Sequence, residues 1–123
     1  MGNTKKKTVV MGASDNPSRY SYLAIKRLVA AQHPVIAIGK RNGEIDSVSI
    51  ITGQPIVEDV DTITLYLNEH NQKEYYDYIL SLNPKRIIFN PGAENSELSE
   101  KAIKQGIEIM EACTLVLLST GQY

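Results

Sequence analysis

The sequence is poor in the residues by which most protein chemistry announces itself. It holds one cysteine, Cys113, in 123 residues. A lone thiol excludes an internal disulfide framework and any cysteine cluster for a metal. The two histidines, His33 and His70, stand alone with no metal-ligand spacing around either. No Ser/His/acid signature is present, and no Gly-rich loop ends in a Lys-Ser/Thr pair. Net charge is nearly absent, with 13 basic against 14 acidic residues and a formal charge of -1. That balance provides no field for non-specific nucleic-acid binding. The basic run Lys5, Lys6 and Lys7 reads as a solvated ramp before the first strand rather than a nucleic-acid patch. No apolar run of signal length follows the start, and none approaches about 18 residues, so no membrane partner is expected. Sparse thiols fit a reducing compartment, and the chain reads as a soluble cytoplasmic protein.

What is present is enough for a core: 42% of the residues are hydrophobic, and the length suits a single domain over residues 1–123. Strand-type and helix-type segments alternate. Strands are predicted over 8–12, 35–38, 63–67, 86–89 and 107–110, and helices over 20–31, 70–82 and 96–105. Residues 45–57 are ambiguous between a short strand and a crossover, and 113–120 reads as a short closing helix. Such alternation predicts an α/β fold in three layers: a Rossmann-like open sheet, mostly parallel, of five to six strands with helices on both faces. Ligands of such sheets sit outside the carboxyl ends of the strands, near the switch point. The segments 12–21, 39–43, 67–70, 90–95 and 111–114 all follow predicted strands and share that rim.

The first of these, GASDNPSRYS, stands where a dinucleotide-binding fold keeps G-x-G-x-x-G. Only Gly12 of that pattern is present, so side chains must do what bare backbone does elsewhere. Ala13 follows it, Ser14, Ser18 and Ser21 offer hydroxyls, and Arg19 offers a planar fork suited to phosphate. The helix that follows adds its positive N-terminal end. The bland reading is a serine-rich turn with no ligand. The second strand ends in Ile38-Gly39-Lys40-Arg41, where NAD-binding folds place an acid on the ribose. Two cations in that position favour an additional ribose phosphate, as in NADP or coenzyme A, over a bare ribose; a solvated turn is the alternative. In the segment Asn90-Pro91-Gly92-Ala93-Glu94-Asn95, Gly92 permits close approach or positive φ, and Asn90 is a candidate donor to a ligand carbonyl. Cys113 is either a small packed residue or a helix-terminal thiol of lowered pKa.

These loops carry a resemblance. VVMGASDNPSRYSYLAIKRL, the Lys40 turn, and IIFNPGAENSELSEKAIKQGIEIMEACTLVLL together resemble the small stand-alone CoA-binding proteins, similar in turn to the N-terminal CoA-binding domain of the succinyl-CoA synthetase alpha chain. The resemblance covers nearly the whole chain. It implies a coenzyme A ligand, free or as a thioester, with Gly12, Ala13, Ser14 and Arg19 along the diphosphate and Lys40 on the nucleotide phosphates. Relatives often carry Asn-Pro where this chain has Ile38-Gly39, and Cys-Pro where it has Cys113-Thr114. The synthetase's phosphorylated histidine belongs to a later domain outside this chain.

The leading expectation is a binding module for CoA or acyl-CoA without catalytic machinery of its own. Ser14, Ser18 and Arg19 would serve the diphosphate, Lys40 and Arg41 the 3′-phosphate, and Asn68, Asn90, Pro91, Gly92 and Ala93 the pantetheine arm. The alternatives are an NADP-binding minimal oxidoreductase and a non-catalytic regulatory subunit of a larger complex. In the last case a second copy or another protein is the partner, with the apolar tail Leu115–Leu118 as the candidate contact.

Overall fold

A computed structural model describes residues 5–123. Seven strands form one sheet in the order β3-β4-β2-β1-β5-β6-β7. They are β1 (Thr8–Met11), β2 (Val35–Ile38), β3 (Gly43–Ile45), β4 (Val48–Ile51), β5 (Thr62–Leu65), β6 (Arg86–Phe89) and β7 (Glu108–Glu111). All neighbours run parallel except β3 and β4. The helices are α1 (Tyr20–Ala30), α2 (Glu69–Gln72), α3 (Tyr76–Ser81), α4 (Ser96–Lys104) and α5 (Thr114–Ser119).

The central strands β1, β5 and β6 are buried along their whole length; β1 and β6 read as mainly apolar runs, while β5 alternates and buries Thr62 and Thr64 along with Ile63 and Leu65. Successive residues feed opposite faces. Val9, Met11, Ile63, Leu65 and Ile87 pack with Ile79, Leu98 and Ala102 of α3 and α4. Val10, Ala37 and Ile88 pack with Ile25, Leu28 and Leu117 of α1 and α5 on the other side. This is the expected three-layer Rossmann-like architecture, with seven strands in place of five or six.

The added strands come from the ambiguous stretch. Residues 43–51 make an antiparallel hairpin, and both residues of its turn, Asp46 and Ser47, take positive φ (46° and 69°). That pair of φ values is the two-residue turn whose twist matches paired strands. The usual signature, Asn or Asp before Gly, is absent, and β3 is three residues long, so periodicity alone does not reveal it. The helix predicted over 70–82 is also divided, into α2, a 3-10 turn at Lys73–Tyr75 and α3. α5 lies on the chain itself: Leu117 is buried against the α1 side of the core, while Val116 stays exposed.

The amino rim of the sheet is closed by polar contacts. Lys5 Nζ donates to the Ala31 carbonyl at 2.8 Å, Lys6 Nζ to Tyr123 O at 2.6 Å and Lys7 Nζ to the Glu58 carbonyl at 2.7 Å. The basic run is therefore a set of ties to three separate segments, not a free ramp, because each ammonium meets a carbonyl left without a ladder partner. Arg86 Nε and Nη1 donate to Thr62 Oγ1 at 3.0 Å and Tyr123 O at 2.9 Å, and the guanidinium lies 4.6 Å from the Tyr123 ring.

On the other side of the sheet, fully buried Gln72 joins three loops. Its Nε2 donates to the carbonyls of Leu67 (2.8 Å) and Ala93 (2.7 Å), and its Oε1 accepts from Asn95 Nδ2 at 2.9 Å. Asn95 Oδ1 in turn caps α4 by accepting from the Leu98 N–H at 3.0 Å. Asn95→Ala removes the cap and strands the Gln72 acceptor, so it is expected to cost about 2–4 kcal/mol in urea unfolding; a loss below about 1 kcal/mol would show the network to be dispensable.

Candidate functional site

The chain runs from β1 to one side of the sheet, builds β2 to β4, and returns across β1 to begin β5 on the other side. The two halves diverge at β1, and a cleft opens there at the carboxyl rim. It has a volume of about 830 Å³ and is lined by residues following β1, β2, β5 and β6. A cleft of this size suits an organic ligand. A smaller recess of about 130 Å³ adjoins it, walled by Ile38, Gly39, Leu67 and Tyr75, and Lys40 borders both.

The first loop is fixed to the neighbouring strand. The N–H groups of Gly12 and Ala13 both donate to the Ile38 carbonyl, at 3.0 and 2.9 Å. The Ala13 carbonyl lies over Gly39 so closely that a Cβ there would stand 2.3 Å from Ala13 O. Gly12 takes φ +89° and passes over Tyr66. Close backbone approach is thus preserved without the fingerprint's further glycines, because the second strand contributes one.

Within the loop, Ser14 Oγ accepts from the Asn16 N–H at 3.1 Å, so its own hydroxyl proton is free to donate. Ser18 spends its donors on Asn16 Oδ1, through Oγ at 2.8 Å and N at 3.0 Å. These bonds close the turn and leave Arg19 as the extended residue before α1, with no side-chain cap. Among the described residues nothing accepts from the N–H of Tyr20 or Ser21, and the first turn holds no acid. The positive end of α1 opens into the cleft. Arg19, Lys40 and Arg41 line the same space, and the one ion pair among the described residues, Lys26–Asp46, lies elsewhere. Three unpaired cations therefore converge with a helix terminus.

Ten of the twelve residues expected at the site line this cleft: Gly12, Ala13, Ser14, Ser18, Arg19, Lys40, Arg41, Asn68, Pro91 and Gly92. Asn68 also caps α2, accepting from the Asn71 N–H at 2.8 Å. Two do not line it. Asn90, expected as a donor to a ligand, is 2% exposed and fully engaged. Its Nδ2 donates to Thr64 Oγ1 at 2.6 Å and the Leu65 carbonyl at 2.9 Å, and its Oδ1 accepts from the Thr114 N–H at 2.8 Å. It ties β5, β6 and α5 together. Ala93 is also buried, and its carbonyl holds Gln72. Gly92 has its N–H occupied by Glu94 Oε1 at 3.0 Å, so Glu94 serves the turn. Cys113 is half-buried at the start of the six-residue α5, outside the cleft lining.

Asp15, Tyr20, Tyr66 and Asn71 also line the cleft. Asp15 and Tyr20 lie inside the first loop, and neither residue type by itself marks an anion site. Tyr66 and Asn71 flank the third rim segment and have no local signature. The Tyr66 hydroxyl is buried without a hydrogen-bond partner among the described residues. The hydroxyls nearest in chemistry, Thr64 and Thr114, are paired with each other at 2.8 Å. Burial raises the Tyr66 pKa well above the usual phenol value. The group stays a neutral phenol across physiological pH.

The family described as CoA binding domain matches residues 6–119. Among solved structures, the chain is similar to a crystal structure of an uncharacterized protein at 50% identity and TM-score 0.95, covering 98% of this chain and 100% of that one. It is similar in fold to a hypothetical protein from Pyrococcus horikoshii OT3, at 21% identity, TM-score 0.84, and coverage of 94% and 83%. A Thermus thermophilus structure gives 18% identity, TM-score 0.82, and coverage of 96% and 91%. No curated protein matches the chain. Tyr66→Phe removes the unsatisfied hydroxyl and is expected to leave stability unchanged or raise it by up to about 1 kcal/mol in urea unfolding; a clear loss would show that the hydroxyl has a partner.

Proposed function

On the premise that the chain belongs to the CoA-binding domain family, we propose that the cleft holds coenzyme A, free or as an acyl thioester, and that the protein is a binding module. The observation that carries this reading is the convergence of Arg19, Lys40 and Arg41, none of them paired, on the open end of α1 in a chain of net charge -1. Such a concentration of positive potential in one concavity suits a ligand with several phosphates. Coenzyme A carries three.

The parts distribute as follows. The diphosphate lies on the α1 terminus, where the N–H groups of Tyr20 and Ser21, the Ser14 hydroxyl and the Arg19 fork are available donors. The 3′-phosphate lies by Lys40 and Arg41. Lys40 borders the smaller recess as well, and the apolar walls there, Ile38, Leu67 and Tyr75, suit an adenine ring. The pantetheine arm runs between Tyr66–Asn68 and Pro91–Gly92 toward the open side. Asn90 and Ala93 act behind this wall, holding its backbone in place. Binding without turnover is supported by the character of the lining. Among the described residues it presents cations, one carboxylate, amides and hydroxyls, and no nucleophile bonded to a base.

Charge-assisted hydrogen bonds contribute about 1.5–3 kcal/mol each. Arg19→Ala and Lys40→Ala are each expected to weaken CoA binding by about tenfold or more in calorimetric titration. Affinity unchanged in both variants would contradict the assignment.

A further inference from the structure

The second strand lacks the acid that dinucleotide-binding folds use on the ribose, yet a carboxylate reaches the far end of the turn that follows it. It arrives from the first loop. Asp15 lies against Gly43, the first residue of β3, so closely that a Cβ at position 43 would stand 2.7 Å from Asp15 Oδ2 and 3.1 Å from its Cγ. Gly43 follows Arg41 by two residues and Lys40 by three, and Asp15, Lys40 and Arg41 all line the cleft. Asp15 is exposed and forms no ion pair or side-chain hydrogen bond among the described residues, so the two cations do not consume it. One acceptor-only group therefore shares the cleft with the two donor-only groups on the turn that follows β2.

The geometry points to Asp15 as a specificity-determining residue that reads which ribose hydroxyl is phosphorylated. This inference rests on the CoA reading of the cleft. A ribose with its phosphate on the 3′ oxygen keeps a 2′-hydroxyl, which donates to the Asp15 carboxylate as it does to the strand-end acid of an NAD site. A ribose with its phosphate on the 2′ oxygen, as in NADP, brings a dianion against that carboxylate and has no 2′ donor. Lys40 and Arg41 attract either isomer, and the carboxylate tells them apart. Specificity arises from a repulsive element as well as an attractive one. Gly43 belongs to the device, since any side chain at that position would displace the carboxylate.

The test compares CoA with its isomer that carries the same phosphate at the 2′ position, by calorimetric titration of the wild-type chain and of Asp15→Asn. Both ligands have the same charge and composition. The wild type is expected to bind CoA at least about tenfold more tightly than the isomer, and Asp15→Asn to bring the two within about threefold, mainly by tightening the isomer. Equal affinities in the wild type, or a ratio unchanged by Asp15→Asn, would overturn the role of Asp15 while leaving CoA binding in place. Failure of the wild type to bind either ligand would overturn the CoA reading itself, and this inference with it. Circular dichroism of the variant checks that its fold is retained.

Discussion

The contact on which the site depends is backbone on backbone. Gly12 and Ala13 both donate to the Ile38 carbonyl, and the Ala13 carbonyl returns over Gly39. These atoms lock the first loop onto the end of β2. Everything the cleft offers to an anion is placed by this lock: the free N–H groups at the start of α1, the Ser14 hydroxyl, and the opposition of Arg19 to Lys40 and Arg41. The space above position 39 is too small for any Cβ, so a glycine there is a condition of this packing. The same closeness lets Asp15 reach Gly43. A loop with one glycine thus makes a close backbone approach, because Gly39 after β2 leaves room for the Ala13 carbonyl.

A second constraint acts from behind. The wall of the cleft on the β5–β6 side is loop backbone, and loops buried on one side need their polar groups satisfied. Asn90 and Gln72 do this with nearly complete use of their amides, linking β5, β6, α5, α2 and the turn at 90–95. The cleft-facing surface on this side is then built from Pro91, Gly92 and Asn68, which are exposed. Buried amides that hold an exposed wall in place are consistent with a largely pre-formed pocket.

Much of this was legible in the sequence, for identifiable reasons. β1 and β6 are buried on both faces and read as mainly apolar runs bounded by turns. Ser14, Arg19, Lys40 and Arg41 lie in segments that follow strands, and the parallel topology sends every such segment to one rim. The hairpin 43–51 was not legible, because its first strand is only three residues long and its Asp46-Ser47 turn lacks the glycine that marks such turns. The break at Lys73–Tyr75 was hidden because Tyr75, Ile79 and Leu82 keep a helical spacing across it. Asn90 and Ala93 looked like ligand contacts since a buried amide and an exposed one are the same letter. Only the positions of Thr64, Leu65 and Thr114 show that the Asn90 side chain is already occupied. The role of Asp15 depends on a tertiary contact with Gly43, which no local pattern encodes.

The central claim is that the cationic turn after β2 recognises a phosphate on the ribose of a CoA-type ligand. Titration of the wild-type chain with CoA and dephospho-CoA side by side tests it most directly. The account predicts that removing the 3′-phosphate weakens binding by about tenfold or more, the loss of at least one charge-assisted contact. Equal binding of the two ligands would place the recognition elsewhere and leave Lys40 and Arg41 as an ordinary solvated turn.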